Sequence, residues 1–187
     1  MGEGAIVDLD GTILDSLPFW ENLGANYLLG KGKTPEAGLQ QRLDAMEMDE
    51  AARYLKDAYG LAEEPLTIRD ELLAAIRHVY AEDAPLLPYA RSLLQKLHDR
   101  GARIVLFTSA EATAAEVALR RTGVLHFFQF IVSTVGTGLD KSTPEAYLYV
   151  QRLLGTPLHS TTIYEDAPYA VVGARLTGMN VVTPDML

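Results

Sequence analysis

Short apolar runs separated by longer amphipathic stretches make up most of the chain. Ala5-Ile6-Val7 is apolar and largely β-branched, and it stops at Asp8-Leu9-Asp10-Gly11-Thr12, where glycine permits a turn. Arg103-Ile104-Val105-Leu106-Phe107, Phe130-Ile131-Val132, Thr161-Thr162-Ile163-Tyr164 and Val181-Val182 have the same character, too short for helices and rich in strand formers. Stretches of helical period lie between them. Tyr89 to Arg100 places Tyr89, Leu93, Leu94 and Leu97 on one face and is followed by Gly101. Glu111 to Thr122 is followed by Gly123, and a helix from about Tyr169 ends at Gly178. Pro144 to Leu154 is followed by Gly155, with Thr143 as its cap and Pro144 at the first helical position. This rhythm predicts an α/β fold: a Rossmann-like parallel sheet covered by helices on both faces, with ligands at the carboxyl ends of the strands.

Residues 15–88 break the rhythm. They offer helical patterns near Phe19 to Leu29, Pro35 to Met46, Glu50 to Tyr59 and Thr67 to Ala81, and no convincing strand. The expected organisation is a core of residues 1–14 and 89–187 with an inserted helical-bundle cap at 15–88, its linkers marked by Pro18, Pro85 and Pro88. The cap carries 7 basic and 14 acidic side chains, so most of the net charge of −9 resides there.

With 187 residues, 48% hydrophobic and 22% charged, the chain can bury one core and carry a smaller insertion. Its negative charge has the wrong sign for neutralising phosphates, which argues against nucleic acid and anionic membranes as partners. The absence of cysteine excludes disulfides, thiolate metal sites and cysteine nucleophiles. No basic stretch followed by an apolar signal core opens the sequence, and no run of 18 apolar residues occurs. The expectation is a cytoplasmic protein, a monomer or weak dimer.

Four strand ends carry candidate chemistry. Asp8 and Asp10 flank one residue, so strand alternation points both carboxylates the same way while Gly11 lets the backbone turn aside. Such a pair is a divalent-metal site, an acid and base couple, both, or an acidic loop cap. Thr108 and Ser109 stand at a strand-to-helix turn, as anion ligands or as helix caps. Lys141 precedes a helix, either reaching a phosphoryl oxygen or lying in solvent. Glu165 and Asp166 add two oxygen donors of the kind Mg²⁺ requires. The histidines, His78, His98, His126 and His159, show no paired ligand spacing.

DLDGT at Asp8 to Thr12, continuing to Asp15-Ser16, followed in order by LFTS, DKSTPEAY and YEDAPYAVVGARLTGM, resembles the haloacid dehalogenase superfamily, and the helical insertion falls where members with a helical cap carry theirs. The resemblance implies a Mg²⁺-dependent phosphohydrolase that cleaves a small phosphorylated metabolite through an aspartyl-phosphate. Asp8 would be the nucleophile, and Asp10 the acid for the leaving oxygen and then the base for water. Thr108, Ser109, Lys141 and backbone N–H groups would hold the phosphoryl oxygens. Asp8, the main-chain carbonyl of Asp10, and Asp166 would bind Mg²⁺, with Glu165 ligating directly or from behind. A phosphomutase of the β-phosphoglucomutase type shares every motif and differs in where the phosphoryl group goes. A non-catalytic phospho-acceptor also places acids, a hydroxyl and a lysine on a parallel sheet, but lacks a helical insertion and a second acid two residues on. Lys31, Lys33 and Arg42 are the cap's candidates for substrate contact. Three positions depart from the family pattern: Tyr89 for glycine, Ser142 for proline and Ala170 for glycine.

Overall fold

The computed structural model describes residues 2–44 and 46–187. In chain order its regular elements are β1 (Gly4–Val7), α1 (Leu17–Trp20), α2 (Leu23–Gly30), α3 (Leu39–Leu43), α4 (Met48–Tyr59), α5 (Pro65–His78), α6 (Ala90–Asp99), β2 (Arg103–Thr108), α7 (Ala112–Arg121), β3 (Phe130–Ser133), α8 (Pro144–Leu154), β4 (Thr161–Tyr164), α9 (Pro168–Arg175) and β5 (Asn180–Val182). A π-helical turn, Val79–Asp83, follows α5. Two compact units emerge, residues 1–16 with 80–187, and residues 17–79.

The first unit is built on a five-stranded sheet of order β3-β2-β1-β4-β5, every pair parallel. Ile6, Val105, Phe107 and Ile163 pack with Ala146, Tyr147, Val150 and Leu154 of α8. The alternate residues Ala5, Val7, Ile104 and Leu106 are equally inaccessible, so both faces are covered. α6 packs on β2 and α7 on β3. This is the sheet that the apolar runs predict, and each expected helix of the core ends beside its glycine.

Register explains why the chemistry collects at one edge. Val7 pairs with Leu106 on one side and with Tyr164 on the other. The residues that follow, Asp8 and Glu165, are therefore level neighbours, with Phe107 on the other flank of Asp8. Thr108 ends β2 opposite Ser133.

The second unit closes around Leu28, Leu39, Ala52, Leu55, Leu61, Ile68 and Leu72. Two of its helices are shorter than the hydrophobic pattern predicts. Among the described residues of the expected 35–46 segment only Leu39–Leu43 is helical, because Gly38 turns left-handed (φ 82) and starts the helix late. The expected helix at 19–29 splits where the Asn22 side chain donates back to the Pro18 carbonyl at 2.7 Å. Lys31 bonds Glu63 and Glu71 at 2.6 and 2.9 Å and lies over the Tyr27 ring. Lys33 reaches the Gly60 carbonyl at 3.5 Å, and Arg42 pairs with Glu36 beside Tyr54. These three cations thus bind groups of their own unit, so charge alone does not single them out as substrate contacts. Among the described residues no helix is long and apolar enough to cross a membrane.

Candidate active site

Asp8 directly follows β1 and is buried, its N–H donating to the Tyr164 carbonyl at 3.0 Å. The Lys141 ammonium meets it at 2.5 Å and meets Glu165 at 2.7 Å, and it sits 5.2 Å from the centre of the Phe107 ring. Lys141 is only 3% exposed, which overturns the reading of a solvated lysine. Its backbone turn explains the burial. Asp140 accepts the Ser142 N–H at 2.8 Å on its side chain and the Thr143 hydroxyl on its carbonyl, which aims Lys141 inward ahead of α8. Thr143 occupies the cap position of α8 as expected, yet its side chain makes no cap hydrogen bond because it serves this turn. α9 must also come close: a β-carbon on Gly173 would lie 2.4 Å from the Lys141 carbonyl oxygen. Gly173→Ala is therefore expected to push the Lys141 turn out of place, costing about 1 to 3 kcal/mol of stability and activity toward every substrate. Thermal denaturation and kcat/KM check this, and an unaltered variant would contradict it.

Glu165 is saturated. Its Oε2 accepts from Lys141 and from the buried Tyr147 hydroxyl at 2.9 Å, while its Oε1 accepts the N–H groups of Asp166 and Ala167 at 3.2 and 3.3 Å. Tyr147 in turn packs edge-on to Phe107. Glu165 thus orients Lys141, a role that its position in the sequence alone leaves open. Carboxylate oxygens of Asp8, Glu165 and Asp166 lie within 4.8 Å of one another, a donor set that suits a small hard cation. With Asp8 Oδ1 and Glu165 taken by Lys141, the free oxygen of Asp8 and the carboxylate of Asp166 are best placed to ligate. The Thr12 hydroxyl orients Asp166 at 3.3 Å, and the Tyr89 hydroxyl, at a position where the family has glycine, holds the Thr12 carbonyl at 3.0 Å.

Electrostatics follow from this crowding. Burial, with repulsion from Glu165 and Asp10, raises the Asp8 carboxyl well above the usual range, and Lys141 opposes it. Burial works against the Lys141 charge, but Asp8 and Glu165 outweigh it and hold the ammonium above its ordinary value. Burial and then Glu165 push Asp166 up to about 6. The edge carries more negative charge than its one lysine offsets, the condition in which a divalent cation binds with most gain.

The Asp10 carboxylate is close enough to act on Asp8 but is not among the three clustered carboxylates. β1 ends at Val7 and the chain bends at Leu9, so Asp10 lies beyond the strand and Gly11 (φ 72) opens a turn directly after it. The Asp10 oxygens are held by the Ser16 hydroxyl at 2.6 Å and by the Tyr80 hydroxyl at 2.6 and 2.8 Å. Thr108 is fully buried, and its oxygen accepts the Ala110 N–H at 3.0 Å, which leaves its proton to be donated elsewhere. Ser109 is exposed beside it. Neither caps α7, whose cap position is Glu111. Ser133 fixes the intervening loop by donating to the Ala110 carbonyl at 2.6 Å.

Over residues 3–176 the chain matches the haloacid dehalogenase-like hydrolases. Fructose-1-phosphate phosphatase YqaB of Escherichia coli is 26% identical over 98% of this chain and 97% of its own length. Hexitol phosphatase A of the same organism is 27% identical over 96% of this chain and 82% of its own. In three dimensions the chain resembles a putative β-phosphoglucomutase from Thermotoga maritima, with a TM-score of 0.82, 22% identity and coverage of 96% of this chain and 83% of the other. A family match across nearly the whole chain, on a parallel sheet whose strand ends gather the family's motifs, has one reading: the chain belongs to the haloacid dehalogenase-like hydrolases.

Proposed function

We propose that the chain is a Mg²⁺-dependent phosphatase of small sugar or polyol monophosphates, working through an aspartyl-phosphate. The observation that carries this is the buried Lys141 bridging Asp8 and Glu165 beside Asp166. The phosphatase names of the relatives that span most of the chain support the substrate class. Asp8 attacks phosphorus through one carboxylate oxygen and keeps the other for the cation. As its new bond to phosphorus forms, the bond to the ester oxygen breaks, and Asp10 gives that oxygen its proton. In the second half Asp10 takes a proton from the water that attacks phospho-Asp8, which restores both aspartates. Lys141 and the Thr108 hydroxyl hold the transferring oxygens, with Ser109 at the rim. Asp8, Asp166 and the main-chain carbonyl of Asp10 would hold Mg²⁺, which when bound offsets charge on the phosphoryl group and the carboxylates. The unit of residues 17–79, rich in acids, sorts leaving groups by shape and does not attract the phosphate dianion.

Chelation is expected to abolish turnover, and Ca²⁺ to restore it poorly, because its larger shell disturbs in-line geometry. A proton on Asp166, whose carboxyl titrates at about 6, competes with the cation. The affinity for Mg²⁺ should therefore be full above that pH and fall as the pH drops through it. Calorimetric titration with Mg²⁺ at about pH 7.5 and about pH 5.5 measures this. Full activity in excess chelator would refute the metal assignment, and equal affinity at both pH values would refute the role of Asp166.

A further inference from the structure

Tyr80 is absent from every motif that led to the site, yet it is among the largest fully buried side chains, and its hydroxyl lies within 2.8 Å of both oxygens of Asp10. It stands in the π-helical turn Val79–Asp83, and such wide turns redirect a side chain that a regular helix would carry elsewhere. The turn is itself anchored in the sheet unit. Arg121 of α7 donates to the Tyr80 carbonyl at 3.0 Å and also to the Ala84 carbonyl. A continuous path of contacts therefore runs from α7 through the Tyr80 backbone and phenol to the Asp10 carboxylate, with Ser16 closing on Oδ1 from the other side.

We infer that Tyr80 is the positioning residue for the acid and base of the reaction, fixing the plane of the Asp10 carboxylate. The inference rests on the proposed role of Asp10. Asp10 lies beyond the end of β1 at Val7, so its aim comes from its partners, and proton transfer is steeply sensitive to aim. Hydroxyl partners suit the task because each can donate to a carboxylate and accept from a carboxylic acid. A lysine in the same place would bias Asp10 toward its charged form and oppose its return as an acid. Tyr80 acts through Asp10.

The test uses Tyr80→Phe, which keeps the ring and removes one hydroxyl, on two esters that differ in leaving group. Dinitrophenolate departs without a proton, whereas the alkoxide of fructose 1-phosphate needs one. The expected result is that kcat/KM for fructose 1-phosphate falls by about tenfold or more while that for dinitrophenyl phosphate stays within about threefold. For dinitrophenyl phosphate kcat should still fall, because hydrolysis of phospho-Asp8 needs the base. In an Asp10→Asn background Tyr80→Phe should change kcat/KM for neither ester. Equal losses on both esters, no loss on either, or an undiminished loss in the Asp10→Asn background would overturn the inference. The reading beneath it fails separately: if Asp10→Asn itself spares fructose 1-phosphate hydrolysis, the acid assignment falls, whereas a damaged Asp10→Asn with an intact Tyr80→Phe removes only the positioning role. Should Tyr80→Phe fail to fold, Ser16→Ala removes the other hydroxyl on Asp10. A loss confined to the alkyl ester supports positioning by hydroxyls, and a uniform loss overturns it.

Discussion

Replacing Asp8 by Asn is expected to remove turnover by at least about 10⁴-fold and to leave no phosphoenzyme with any ester, because the amide cannot attack phosphorus. Asp10→Asn should behave differently. With a good leaving group it should still take up the phosphoryl group and then release it slowly, since only the proton transfers are lost. The geometry underlies this division: Asp8 is buried against Lys141, whereas Asp10 is turned toward Tyr80 and Ser16. Rapid-quench labelling of both variants checks it. A phosphoenzyme in Asp8→Asn would show that the nucleophile lies elsewhere.

The second large effect belongs to Lys141. Lys141→Met deletes the cation that meets both Asp8 and Glu165, leaving two buried carboxylates without its counter-charge. Breaking a buried pair from one side costs about 3 to 5 kcal/mol, so the metal-free variant should be markedly less stable at neutral pH. The sign with pH follows from which form is favoured. Unpaired, buried carboxyls have their folded pKa raised above the unfolded value, so the loss is greatest at high pH and shrinks as the pH falls through the raised value. Catalysis should fall by about 2 to 4 kcal/mol in kcat/KM, equally for every ester, because the contact is to the transferring group. Thermal unfolding across pH, with kcat/KM for a panel of esters, measures both. A loss that depends on the ester would contradict a role on the phosphoryl group.

Much of the sheet unit is legible in the sequence because its strands are short, β-branched and buried on both faces, so each announces itself without neighbours. Parallel strands then carry Asp8, Thr108, Glu165 and Asp166 to one edge by topology alone. What the sequence hides depends on close approach between distant segments. The burial of Lys141, which the local sequence leaves open, depends on Gly173 letting α9 against its turn, 32 residues away. Tyr80 lies within a helical pattern where an aromatic residue reads as packing, and its partner is 70 residues distant. The Asp10 side chain escapes strand alternation because β1 ends at Val7 and the chain bends at Leu9. In the helical unit, Gly38 delays one helix and Asn22 interrupts another that hydrophobic periodicity would make continuous, since backbone conformation and a local side-chain bond outweigh period there.

The stereochemical course at phosphorus tests the central claim, that Asp8 takes the phosphoryl group before water does. Hydrolysis, in water of the third oxygen isotope, of a phosphorothioate ester made chiral at phosphorus by sulfur and two oxygen isotopes needs no trapped intermediate and no variant. Two in-line displacements, first by Asp8 and then by water, each invert the centre. The account predicts overall retention of configuration, and inversion would contradict it by showing that water attacks the ester directly.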